Sequence, residues 1–293
     1  MPVFPVGFCI DASKIVSKAA IKRKMNSFIV AGDVSTYIYT NENDYYNDYQ
    51  ESIFAKTTLK GGWDCLRHYE ILANGCIPFF PNIENCPEST MVHFPKQIIQ
   101  ETNKLYEDMT LDPFSNVHIE KCHYYTEVLL NYTRQHLTNT KMAEYVLEKS
   151  LNSNAKSILY LSGCTKPDYL SNLILPGFKN LLGSQCHDYP RIDHINKDYP
   201  FAKQLYGKGF TYTRICDIDL RNSEYDRNVE QDIRNRKYNI IMYASYQRGL
   251  PFFDIVKEYY AKEEIILLCG EDVHCLNYKH FSEDGFNVFV REL

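Results

Sequence analysis

No apolar run in this sequence approaches the ~18 residues that a membrane-crossing helix requires, so membrane insertion is not expected. The N-terminus also lacks the basic-then-apolar pattern of an export signal, because Pro2 and Pro5 interrupt a very short apolar stretch. A cytoplasmic protein is the expectation, in which the Asn131-Tyr-Thr sequon stays unmodified. Nor is there a basic excess. A net charge of −5 argues against a broad nucleic-acid-binding surface, and no nucleic-acid partner is expected. The cations of SKAAIKRK, residues 17–24, read as the solvated face of a short helix. Ten cysteines are present, but they are scattered at 9, 65, 76, 86, 122, 164, 186, 216, 269 and 275 with no C-x-x-C pair. Without an export signal that pattern predicts reduced, mostly buried thiols, and no Cys/His spacing suggests zinc. A G-x-G-x-x-G after a strand is missing as well, which removes the sequence signal for a dinucleotide-dependent oxidoreductase.

What is present fits a soluble α/β protein. A chain of 293 residues holds two ordinary domains or one large one, and 44% hydrophobic with 24% charged residues is a globular composition. Tyrosine is abundant at 24 residues, several of them in YIYTNENDYYNDYQ. Tyrosine rings serve sugar faces, but they also serve interiors and strands.

The first half reads as strands at 3–10 and 36–39 with a basic helix over 12–25 between them. A polar-aromatic helix over 42–55 follows. Further helices are predicted at 95–106, 118–131 and 139–151, the last with Met142, Tyr145, Val146 and Leu147 on one face. Residues 150–157, SLNSNAKS, read as a linker. Beyond it, apolar runs at 158–162, 239–244, 264–269 and 287–291, with a candidate strand at 209–216, alternate with helical patterns at 169–182 and 252–261. Such alternation predicts a parallel sheet covered on both faces. The expected division is 1–152 and 153–293.

The segment with most chemical content is residues 60–80, KGGWDCLRHYEILANGCIPFF. Asp64 stands as a helix N-cap, Leu66, Tyr69, Ile71, Leu72 and Ala73 form an apolar face, and Gly75 sits just past the end. Arg67 and Glu70, three apart, share one face near the helix start. A helix N-terminus behind Gly61-Gly62 suits a diphosphate, Arg67 adds a forked cation, and Glu70 an acceptor for ribose hydroxyls. An i,i+3 pair on a solvated face is the plainer alternative.

DCLRHYEILANGCIPFF, with the following PNIENCPESTMVHFPKQI, resembles the donor-binding segment of exostosin-like glycosyltransferases, especially those encoded by large algal viruses. The resemblance covers roughly residues 37–147. It implies that Arg67 and Glu70 contact a nucleotide-sugar. It further implies a UDP-sugar donor, xylose moved with inversion to a fucose-containing glycan of a viral capsid protein, and a location in host cytoplasm. The implied fold is GT-B-like: two Rossmann-like domains facing across a cleft, 1–152 binding the donor and 153–293 the acceptor. In the usual family order the donor block lies in the C-terminal half, so here the domain order is exchanged or the second half differs.

Glycosyl transfer requires stabilisation of an anionic leaving group and removal of a proton from the acceptor hydroxyl. Lys60, Gly61, Gly62 and Arg67 are the candidates for the first task, with Lys56 in reserve, and neither metal nor cofactor is then required. For the second, Asp168 and Asp188 lead, ahead of His187 and of Glu271-Asp272. Asp217-Ile-Asp219 is a D-x-D that would hold a divalent cation on the diphosphate in a metal-dependent alternative, or a surface turn. A non-catalytic carbohydrate-binding protein is the remaining alternative.

Overall fold

The structure, a computed structural model, describes residues 3–112, 115–272, 275 and 277–293. It is mixed α/β, with two sheets that are parallel throughout. The larger is assembled from β1 (Val3–Pro5), β5 (Ile158–Leu161), β6 (Cys186–Tyr189), β7 (Ile240–Tyr243), β8 (Ile265–Cys269) and β9 (Asn287–Val290), in the order β1-β9-β8-β7-β5-β6. The smaller runs β2-β3-β4, from β2 (Lys24–Asn26), β3 (Ser52–Lys56) and β4 (Ile77–Phe79).

The apolar runs of the second half become strands because both of their faces are covered. Leu159, Leu161, Ile241, Tyr243, Ile265 and Leu267 point into one core, with Ile233 of α7 (Val229–Arg234) and Val256 of α8 (Phe253–Tyr259). Ile158, Tyr160, Ile240, Met242, Ile266 and Leu268 point the other way. They meet α6 (Tyr169–Leu182) and α5 (Asn139–Lys149). This is the period-2 alternation of a doubly wound sheet. Gly177 lets α5 and α6 touch, since a Cβ there would lie 2.1 Å from the Asn139 carbonyl oxygen.

The small sheet is covered on one side by α1 (Glu42–Gln50), whose Tyr45, Tyr46 and Tyr49 pack with Ile29, Ala55 and Ile71. On that same side lies α2 (Leu66–Ala73), while α3 (Lys96–Leu111) packs through Tyr106 on Phe54 and Phe79 of the opposite face, with α4 (Asn116–His136) next to it. The last helix, α9 (Tyr278–Glu283), precedes β9.

Several expectations need correction. β1 lies within the first 152 residues yet forms the edge of the large sheet, extended by Val6 N–H donating to Val290 C=O at 3.0 Å. One apolar core contains Phe54, Leu72 and Met142 together with Phe178, Met242 and Phe289, so the linker at 150–157 does not separate two cores. The basic helix over 12–25 is only a 3-10 turn, Ala12–Lys14, and residues 34–36 form another where a strand is expected at 36–39. The expected strand at 209–216 is a series of turns with a single bridge, Asn196 to Cys216. Cys269 and Cys275 form a disulfide where reduced thiols are expected; the other eight cysteines are free. Among the described residues no helix is long and apolar enough to cross a membrane.

Candidate functional site

The C-terminal ends of strands from both sheets open on one cleft of about 780 Å³. Phe8 follows β1, Asp272 follows β8, and Tyr169 begins α6 on the large-sheet side. Lys60, Gly61 and Gly62 follow β3 on the other side, leading to Arg67 and Glu70 of α2. Open parallel sheets place their ligands at this end.

All five residues expected to bind a nucleotide-sugar line this cleft. Their local arrangement differs from expectation in three respects. First, α2 starts at Leu66 with Cys65 in the cap position and no capping side chain. Asp64 instead turns its carboxylate to Phe8 N–H at 2.6 Å and Tyr69 Oη at 2.8 Å, tying α2's lead-in to the end of β1. Second, the glycine pair does not abut the helix. Gly62 permits a close approach, since a Cβ there would sit 2.8 Å from the Asp272 carbonyl oxygen and 2.4 Å from Glu292 Oε1. Third, Arg67 and Glu70 use different partners. The Glu70 carboxylate is buried and accepts from Thr211 Oγ1 at 2.5 Å and from the Tyr45 hydroxyl.

Arg67 lies half-buried with its guanidinium stacked on the Tyr37 ring at 4.3 Å. The Tyr37 hydroxyl accepts from Lys60 Nζ at 3.2 Å and from Gly32 N–H at 2.8 Å. Arg67 Nη1 is buried without a hydrogen-bond partner. Burial disfavours its charge, but the oxygens of Tyr45, Tyr49, Glu70 and Tyr37 outweigh that and raise its pKa. It therefore remains a cation on the cleft lining with one buried donor unpaired, and such a donor is costly unless a partner takes it.

The cleft's shape depends on Arg291, which sequence reading passed over. This fully buried side chain donates from Nη1 to the Asp64 carbonyl and to Glu292 at 3.0 Å. From Nε it donates to the Gly270 carbonyl at 3.1 Å, and from Nη2 to Asp272. Glu292 in turn accepts the N–H groups of Trp63 at 3.1 Å and Asp64 at 2.8 Å. One arginine thus ties the ends of β8 and β9 to the loop before α2. Its only sequence signal is a cation and a carboxylate directly after an apolar run, NVFVREL.

Neither leading base candidate reaches the cleft. Asp168 caps α6 through Ser171 N–H at 3.0 Å, and its other oxygen takes Ser245 Oγ at 2.8 Å and Arg248 at 2.8 Å. Asp188 lies buried on β6, paired with Lys179 at 2.7 Å and Arg221 at 3.4 Å. His187 is held between Tyr238 Oη and Asp226, each at 2.8 Å. Glu271 is exposed outside the cleft lining, Asp217 pairs with Lys197 at 2.6 Å, and Asp219 is exposed on a turn away from the cleft. Asp272 lines the cleft instead. Of the three carboxylates lining the cleft, Asp64 and Glu70 are buried, and Asp272 is exposed with one oxygen held by Arg291.

Comparison of the chain with protein-family models, with curated proteins and with solved structures gives no match.

Proposed function

We propose that this chain is a glycosyltransferase of GT-B-like arrangement. It would use a UDP-sugar held on the small-sheet wall of the cleft and an acceptor held on the large-sheet wall. The observation that carries this reading is the unpartnered Nη1 of Arg67, a half-buried cation on the lining of a large cleft, at an uncapped helix start and sharing the Tyr37 ring with Lys60. A diphosphate supplies what that group lacks: a multivalent anion with oxygens in forked geometry.

In the reaction, an acceptor hydroxyl oxygen attacks the anomeric carbon as the bond from that carbon to the phosphate oxygen breaks. The nucleoside diphosphate leaves with the electron pair, stabilised by Arg67 and Lys60. The acceptor's proton passes to a carboxylate, for which Asp272 replaces the earlier candidates because it alone of the cleft carboxylates is exposed. Glu70 keeps lone pairs beyond those used by Thr211 and Tyr45, which suit ribose hydroxyls. The resemblance of residues 37–147 to exostosin-like enzymes directs the first choice of substrates to UDP-xylose and a fucose-containing glycan.

UDP should raise the melting temperature of the wild-type chain, because a ligand that binds only the folded state stabilises it by mass action. Arg67→Ala should weaken UDP binding by about 1.5–3 kcal/mol, the worth of a charge-assisted contact. Wild-type UDP affinity in a folded Arg67→Ala chain would remove the donor site from this cleft.

A further inference from the structure

Tyr206 is 77% exposed and lines the cleft, and the backbone that holds it there is an unusual one. Between residues 207 and 214 five residues have positive φ: Gly207 at 58°, Lys208 at 58°, Gly209 at 71°, Thr211 at 72° and Arg214 at 57°. Three of these are not glycine, and Thr211 is β-branched, so the segment is strained and must be held by its surroundings. It is held firmly. Thr211 is fully buried, its N–H donates to Glu42 Oε1 at 2.6 Å, and its hydroxyl bonds Glu70 at 2.5 Å and Tyr46 at 2.6 Å. Lys208 donates to the Tyr39 carbonyl, and the Phe210 ring packs on Tyr45 at 5.4 Å. Tyr212 Oη fixes the Tyr206 carbonyl at 2.8 Å. Anchored at so many points, the segment still leaves the Tyr206 ring in solvent, tilted against Tyr169 at 6.1 Å.

We propose that Tyr206 is the platform of a sugar-acceptor subsite, with Tyr169 beside it and Asp272 lining the same cleft. A pyranose offers an apolar face of C–H groups to the electron-rich face of an aromatic ring, and its hydroxyls require polar partners around the edge. A rigid ring costs little entropy to use, which is the gain from straining the backbone around it. A nucleobase could stack on the same ring. The ring neighbours favour the sugar: the cations suited to a diphosphate gather on Tyr37, whereas the Tyr206 ring lies against Tyr169 at the start of α6, although the segment that carries it is anchored on α1 and α2.

The assignment of an acceptor rests on the glycosyl-transfer reading, but sugar binding can be measured without it. Free L-fucose, D-xylose, D-galactose and D-glucose would be titrated into the full chain by saturation-transfer NMR, with UDP-induced melting shifts measured in parallel. At least one sugar should bind the wild-type chain. Tyr206→Ala should weaken that binding by about tenfold or more, and Tyr206→Phe should retain it, with UDP shifts unchanged in both variants. Wild-type sugar affinity in Tyr206→Ala, or no sugar bound by the wild-type chain, overturns the subsite. A Tyr206→Ala chain that loses its UDP shift assigns the ring to the nucleobase and overturns it equally. Sugar binding that depends on Tyr206 in a chain that ignores UDP upholds the subsite and removes the transfer reaction.

Discussion

Individual side chains in this protein separate into those spent on holding the fold and those left available. Asp168 and Asp188 belong to the first kind, as cap and ion-pair partners, while Asp272 belongs to the second. Asp272→Asn should therefore reduce transfer by ~10²–10⁴ while UDP affinity and melting temperature stay near wild type, since Arg291 keeps its other acceptors. Asp188→Asn should do the reverse. It leaves Lys179 buried without its countercharge, while Arg221 retains Asp226, at a cost of about 3 kcal/mol in a urea titration. Undiminished turnover in Asp272→Asn would place the base elsewhere. The glycine pair divides in a similar way. A Cβ on Gly61 meets the Asp272 carboxylate end at 2.5 Å, and that exposed side chain can swing aside. On Gly62 it meets backbone and the pinned Glu292, so Gly62→Ala should lose about 1–3 kcal/mol of stability and Gly61→Ala less than half of that. Equal melting temperatures for the two variants would show that the loop relaxes freely.

Among the elements, α2 carries the site and depends on a buried histidine. His68 Nε2 bonds the Trp63 carbonyl at 3.0 Å and Nδ1 the Thr57 hydroxyl at 2.9 Å, which fits a neutral ring donating to Trp63 and accepting from Thr57. Burial, reinforced by the nearby Arg67, Lys60 and Arg291 charges against the opposing Trp63 carbonyl, lowers its pKa from 6.5 to about 3. Between those values the unfolded chain binds a proton that the folded chain refuses. Stability therefore declines as pH falls from 6.5 toward 3, by up to about 1.4 kcal/mol per pH unit from this group. Urea titrations at pH 6.5 and 4.5 should show His68→Gln losing about 2 kcal/mol less than wild type over that interval. Parallel losses would mean that His68 titrates normally. The elements also differ in how far the sequence reveals them. β5, β7 and β8 are continuous apolar runs and β9 is one after its first residue, Asn287; covering both faces of a sheet requires that pattern. β6 reads CHDY and escapes notice because its charges are neutralised by Lys179, Arg221 and Asp226 from distant segments. Residues 209–216 have strand-forming composition, yet Gly209, Thr211 and Arg214 adopt left-handed backbone under tertiary anchoring, and no local rule predicts that. Arg67 and Glu70 were visible from spacing on one helical face. The hydroxyls that hold Glu70, and the Arg291 clamp, come from far along the chain and were not.

At the scale of the molecule, the cleft is lined by segments that follow β1 and β8 of the large sheet and β3 of the small one, and the chain is woven so that neither part closes alone. β1 completes the large sheet from the N-terminus, and Val6 continues its ladder to Val290. α5 lies against α6 across Gly177, and the Tyr145 ring reaches Phe289 at 6.3 Å. A fragment of residues 153–293 keeps five of the six strands of the large sheet but loses this cover. Its Phe178, Met242, Ile266 and Phe289 would then face water where α5 and the first half had enclosed them. Each such side chain contributes roughly 1.5–3 kcal/mol by its burial, while a whole domain has only about 5–15 kcal/mol of net stability. The fragment should therefore lack a cooperative urea transition and should bind dyes specific for exposed apolar surface, while the full chain unfolds in one step. Adding residues 1–152 as a separate chain should restore cooperativity, because the missing strand and helix dock on surfaces already shaped for them. A fragment 153–293 with dispersed NMR resonances and its own sharp transition would mean that the two parts fold independently. Arg291 would then act as a contact between domains and not as part of one common core.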